Sequence, residues 1–136
     1  MQIVCKNAIK MFAKRRYKPG DIVIFDIDGT LVDNESICLT PVIELYKYIL
    51  SLKYPIYIIT ARLDTRVNYK FTVNMLSMCG VKNYLGIFMR PGDMIDLYKY
   101  KESRREYLTK KGYNIVASVG DMPFDFGKYS GINILV

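Results

Sequence analysis

The stretch Asp21–Asp33, D-I-V-I-F-D-I-D-G-T-L-V-D, constrains this chain more than any other. Ile22–Phe25 is a short apolar run rich in β-branched residues, the composition of a strand buried on both faces of a parallel sheet. The run breaks into two carboxylates, Asp26 and Asp28, and then Gly29, which can take backbone angles closed to other residues. Two acids therefore leave the carboxyl end of a buried strand, where open α/β sheets place their ligands. Holding like charges there is costly unless a cation or a substrate compensates them. A strand ending in an acidic glycine turn is common, and Asp-Gly alone says no more than that. The full string D-I-D-G-T-L-V-D says more.

The rest of the chain alternates strand and helix signals. Ile56–Ile59 is a second buried strand, ending in Thr60-Ala61-Arg62. Leu85–Met89, Asn114–Val119 and an edge strand over Ile132–Val136 follow the same pattern. Met1–Lys18 carries an apolar helical face (Ile3, Val4, Cys5, Ala8, Ile9, Phe12) opposite lysines and arginines. Thr40-Pro41 reads as an N-cap with proline at the first helical position. The helix after Asp64 places Val67, Phe71, Met75 and Met78 on one apolar face and stops at Gly80. A polar loop, Arg90–Tyr98, precedes a helix over Lys101–Lys111. These alternations predict an α/β fold: a Rossmann-like parallel sheet of about five strands with helices on both faces. The 136 residues suit one domain (1–136), made of a basic helical segment over 1–19 and a core over 20–136.

Lys and Arg number 20 against 13 Asp and Glu, a net charge of +7. That excess suits an anionic partner, nucleic acid among them, and equally a solvated surface with incidental lysines. The N-terminal segment has the same two readings, a helix packed on the sheet with a solvated basic flank or a handle for a phosphate backbone. The chain contains no histidine, which excludes Ser-His-Asp and Cys-His catalysis. Acid–base chemistry falls to carboxylates, lysine or tyrosine. Cys5, Cys38 and Cys79 are odd in number and widely spaced, which predicts reduced thiols in a cytoplasmic compartment rather than a disulfide framework or zinc site. No apolar run reaches the length of a membrane span, and the N-terminus lacks the unbroken core of a signal peptide.

The string around Asp26 resembles the first motif of the haloacid dehalogenase (HAD) superfamily of phosphotransferases, D-x-D-G-T-L/V, through Asp26, Asp28, Gly29, Thr30 and Leu31. The resemblance implies that Asp26 is a nucleophile forming an aspartyl-phosphate and that Asp28 is a general acid/base, the phosphatase or phosphomutase branch. It further implies that Thr60, ending the second strand, bonds a phosphoryl oxygen, with Gly29, Thr30, Ala61, Arg62 and Arg90 nearby as phosphate or substrate contacts. Arg62 is equally readable as a surface arginine. A lysine should neutralise the nucleophile and the transferring group. Lys99 and Lys101 both qualify; Lys101 is favoured because Arg90-Pro91-Gly92-Asp93, Asp96 and Lys101-Glu102 resemble the phosphatase domain of phage polynucleotide kinases. The G-D-x-x-x-D string Gly120, Asp121, Asp125 resembles the fourth motif. It implies a Mg²⁺ site formed by Asp26, the Asp28 backbone carbonyl, Asp121 and Asp125.

Superfamily members acting on small molecules usually carry a cap domain. Leu31–Tyr54 has room for a loop and one helix, and Ala61–Tyr100 for a helix, a strand and a loop, so no cap fits. An open site suits a large substrate that itself excludes water and disfavours a phosphomutase. The expected activity is hydrolysis of a phosphomonoester, preferably a phosphorylated nucleic-acid end such as a 3′-phosphate. A nucleotide or small-molecule phosphatase and a catalytically idle binding module are the alternatives; the retained acids, Thr60 and a lysine argue against the last.

Overall fold

The computed structural model describes Met1–Val136. In chain order it comprises α1 (Gln2–Lys14), β1 (Asp21–Phe25), α2 (Thr40–Ser51), β2 (Ile56–Leu63), α3 (Arg66–Met78), β3 (Gly86–Arg90), α4 (Leu97–Lys110), β4 (Asn114–Gly120), a 3-10 turn at Pro123–Asp125 and β5 (Ile132–Leu135). The strands form one sheet in the order β3-β2-β1-β4-β5, and every pairing is parallel. The chain steps outward from β1 to β3, then crosses back to β4 on the other side of β1. The strand order therefore reverses between β1 and β4, and a crevice opens there at the carboxyl ends of the strands.

Strand periodicity divides β1 between two cores. Val23 and Phe25 join the larger one with Cys5, Ala8 and Phe12 of α1, Leu45, Tyr46 and Ile49 of α2, and Met75 and Leu76 of α3. Ile22 and Ile24 join the smaller one with Tyr100 and Leu108 of α4. Three helices thus cover one face and α4 alone covers the other, which is why β1 reads as an unbroken apolar run. The α/β reading and the absence of a cap hold. The N-terminal helix contributes Cys5, Ala8 and Phe12 to the same core as the central strand. No helix is long and apolar enough to cross a membrane.

Several local expectations need correction. The apolar face expected of α3 lies mostly in water: Val67, Phe71 and Met78 are 77%, 58% and 88% exposed. Of that face Met75 is buried as expected, together with Thr72 and Leu76. In this orientation Met75 and Leu76 join the main core, and the Thr72 hydroxyl and the Met75 sulfur accept from the Arg62 guanidinium at 3.2 and 3.6 Å. Leu39, not Thr40, is the N-cap of α2, and it makes no side-chain cap. Helix α4 begins at Leu97, because the Asp96 carboxylate accepts the Lys99 N–H at 3.2 Å and caps it. Cys38 and Cys79 form a disulfide, with Cα atoms 5.6 Å apart. Their separation of 41 residues hides that the loop entering α2 and the end of α3 meet in space; only Cys5 stays a free, buried thiol.

Candidate active site

The acids sit where β1 leaves the sheet. The Asp26 N–H donates to the Val119 carbonyl at 3.0 Å, so the parallel pairing with β4 reaches the first acid. Beyond it the chain turns on Gly29, at φ +78°, whose N–H donates to the Val32 carbonyl at 2.7 Å. Ile27, Leu31 and Val32 are fully buried and pin the loop from below. A Cβ at Gly29 would collide with the Asp121 carboxylate, and one at Gly120 with the Asp125 carboxylate. Glycine is therefore required at Gly29 for the two acidic loops to approach each other, and at Gly120 for the β4 loop to fold Asp125 back beside its own strand end.

Asp26 is only 7% exposed and is held from two sides. Lys101 Nζ donates to one of its oxygens at 2.7 Å, and the Thr30 hydroxyl to the other at 2.9 Å. The same ammonium also donates to Asp125, which is likewise buried. Burial pushes the Asp26 carboxyl up to about 7; Lys101 opposes that shift and the nearby Asp125 charge adds to it. For Lys101 burial works downward, but Asp26 and Asp125 outweigh it, and the ammonium is held charged above its ordinary range. Lys99 is exposed, and its N–H is taken by the helix cap. Of the two candidate lysines, Lys101 is the one in the cluster.

Arg62 and Asp28 form a two-pronged pair at the mouth of the site. Arg62 Nε and Nη2 donate to the two Asp28 oxygens at 2.9 and 2.8 Å, and Nη1 donates to Thr72. Thr60 is fully buried, and its oxygen accepts the Arg62 N–H at 3.2 Å, which leaves the hydroxyl hydrogen free to donate. The Ala61 carbonyl accepts from Arg90 Nε at 2.9 Å, and Arg90 also donates to the Met94 carbonyl at 3.0 Å. Arg90 thus ties the end of β2 to the loop before α4. The other residues form two bonded groups side by side: Asp26 with Thr30, Lys101, Asp121 and Asp125, and Asp28 with Arg62 and Thr60.

Arg105 escaped the sequence reading. It lies one turn beyond Lys101 on the same face of α4, is 1% exposed, and donates to the carbonyls of Phe124 and Phe126 at 3.3 and 3.1 Å. It braces the turn that carries Asp125, and its Nε has no partner. Burial lowers its guanidinium below the usual range, with Asp125 and Glu102 opposing. The i, i+4 spacing from Lys101 was the one available signal.

Asp26, Asp121 and Asp125 each offer a carboxylate oxygen within 4.8 Å of the others. One lysine faces three acids, so a cation of charge two would balance the cluster. Asp125 has the least spare capacity: one oxygen accepts Lys101 and the other the N–H groups of Asp121 and Met122, both at 3.0 Å. The Asp28 carbonyl accepts no backbone hydrogen bond. All of these are hard oxygen donors, the set preferred by magnesium and calcium over softer metals.

The family model described as HAD superfamily, subfamily IIIB (acid phosphatase) matches residues 34–136. That span begins after Asp26 and Asp28, so the family match and the first motif rest on separate parts of the chain. No curated protein matches in sequence. Among solved structures, a chain of the Pnkp1/Rnl/Hen1 complex superposes with a TM-score of 0.74 at 19% identity, covering 86% of this chain and 46% of that one. A chain of the Pnkp1/Rnl/Hen1 RNA repair complex gives 0.61 at 21% identity, covering 78% and 37%. This chain therefore spans less than half the length of either neighbour, and at such identities the likeness shows the fold. With three quarters of its length matched by the family, the chain belongs to the HAD superfamily, subfamily IIIB (acid phosphatase).

Proposed function

We propose that the chain is a Mg²⁺-dependent phosphatase that hydrolyses a terminal phosphate of a nucleic-acid strand, preferably a 3′-phosphate, through an aspartyl-phosphate on Asp26. The observation that carries the reading is the bonded cluster at the β1–β4 crevice, Asp26 between Lys101 and Thr30, with the separate Arg62–Asp28 pair two residues further along the same loop.

In this reading an Asp26 oxygen attacks phosphorus, and the bond to the ester oxygen breaks. Asp28 gives its proton to the departing oxygen, then takes one from the water that attacks the aspartyl-phosphate. The second displacement releases inorganic phosphate and restores Asp26. Both oxygens of Asp28 are occupied by Arg62 in the free protein, so Arg62 has to release it, and an incoming phosphate offers the same bidentate grip. Thr60 donates its free hydroxyl hydrogen to a phosphoryl oxygen, and Lys101 stabilises charge on Asp26 and the transferring group. Gly29 and Ala61 contribute backbone in the same crevice. Asp26, Asp121, the Asp28 carbonyl and the remaining lone pair of Asp125 would hold Mg²⁺, which when bound neutralises the phosphate and the acids.

The nucleic-acid substrate is supported by the net charge of +7 and by the open, capless crevice. A further support is the likeness to chains from an RNA repair complex. The test compares phosphate release from a 3′-phosphorylated oligonucleotide, nucleoside monophosphates and an aryl phosphate, with and without Mg²⁺. The expected order of kcat/KM puts the oligonucleotide first. Equal turnover of nucleoside monophosphates would move the assignment to a nucleotide phosphatase.

A further inference from the structure

The apolar stripe that α3 leaves in water runs directly into the catalytic crevice. Val67, Phe71 and Met78 lie three or four residues apart with Asn74 between, so they share one flank of the helix. Phe71 also lines an open groove of about 310 Å³ with Arg62, Leu63, Asn68 and Thr72, and Arg62 is the residue that grips Asp28. The stripe therefore starts beside the catalytic acid and leads away from it.

Its charge has one sign. No Asp or Glu occurs between Asp64 and Asp93, whereas Arg66 and Lys70 are exposed on α3. Exposed aromatic and apolar side chains alternating with cations, without acids, form a surface on which bases stack and phosphates are neutralised. Along α3 itself a second copy of this chain would find no complementary negative charge. A polyanion with flat apolar rings does.

We propose that this flank of α3 is the track for the unpaired end of the nucleic-acid substrate, with Phe71 stacking on a base next to the terminal phosphate and Lys70 pairing with the strand's backbone. The inference rests on the nucleic-acid reading above and narrows it to single-stranded ends, because a base held in a blunt duplex cannot reach Phe71. From Val67 to Met78 the helix rises about 16 Å, the length of about five stacked nucleotides. Activity should accordingly climb with oligonucleotide length and level off near that number.

The experiment measures kcat/KM on a single-stranded 3′-phosphorylated oligonucleotide, the same strand in a blunt duplex, and an aryl phosphate, for the unmodified protein, Phe71→Ala, Phe71→Tyr and Lys70→Glu. Both positions are solvent-exposed, and a thermal melt checks that each variant folds. The expected result is a single-strand preference in the unmodified protein. Phe71→Ala and Lys70→Glu should each lower the oligonucleotide-to-aryl ratio at least about fivefold, with Phe71→Tyr restoring it. If the single strand stays preferred but neither variant changes the ratio, the track is wrong and the nucleic-acid reading survives. If the unmodified protein shows no preference for the oligonucleotide, the reading beneath the track fails. A Phe71→Ala variant that changes oligomeric state and not the ratio would make the stripe an interface between copies, and would overturn the proposal as well.

Discussion

Asp26 is buried against another acid and kept usable by a lysine and a threonine. As the proposed nucleophile, Asp26 should tolerate no neutral isostere. Asp26→Asn should fold normally and lower kcat by at least about a thousandfold, measured as phosphate release beside a thermal melt. Asp28→Asn should lose about 10²- to 10⁴-fold, most for substrates with poor leaving groups, which need the proton most. A leaving-group series on both proteins checks this. Asp26, Asp28, Asp121 and Asp125 could be picked out from the sequence because they follow the ends of β1 and β4 and carry their chemistry in their residue type; Thr60 lies on β2, and Lys101, inside α4, was legible through the resemblance of the stretch that leads into it. The Arg62–Asp28 pair could not: residues 34 positions apart meet only because β1 and β2 are neighbours. The same holds for Arg105, whose partners are backbone carbonyls with no signature in residue identity.

Among the elements, α4 does the most to shape the site, since it brings Lys101 and Arg105 under the acids from the lightly covered face of the sheet. Lys101→Met would leave Asp26 and Asp125 facing each other in a dry site. The expected cost is about 3–5 kcal/mol of stability in chelator, and part of it should return on adding Mg²⁺, read from denaturant midpoints under both conditions. Helix α3 shows why element boundaries were easier to read than orientations. Its length and stop were legible, but its apolar periodicity pointed Val67, Phe71 and Met78 inward, whereas the helix packs Met75 and Leu76 into the core and sets Thr72 to accept from Arg62. The cysteines show the same limit, because spacing along the chain is silent about which helix ends meet. Closing a loop across 41 residues, the Cys38–Cys79 bridge is worth up to about 4 kcal/mol by loop entropy. Reductant should lower Tm on the order of 10 °C and leave a Cys38→Ser/Cys79→Ser double variant unmoved.

At the scale of the whole molecule, topology explains why so much of the fold was readable. A parallel sheet buried on both faces writes its strands as continuous apolar runs, and here the two strands that flank the order reversal, β1 and β4, each lead directly into an acid, Asp26 and Asp121. The two acidic loops meet because β1 and β4 are adjacent, and the resulting negative cluster calls for a divalent cation. Excess chelator should stop turnover and Mg²⁺ restore it, while Ca²⁺, with looser and higher coordination, should bind and support it poorly. Because backbone-phosphate contacts release counterions, kcat/KM on an oligonucleotide should fall steeply with salt, and that on an aryl phosphate should change little. Covalent chemistry at Asp26 is tested most directly by acid-quenching the protein during turnover with Mg²⁺ and measuring the mass of its peptides. The expected result is one added phosphoryl group on the peptide containing Asp26, absent in Asp26→Asn; turnover at full rate with that peptide unmodified, or retained in Asp26→Asn, would contradict it.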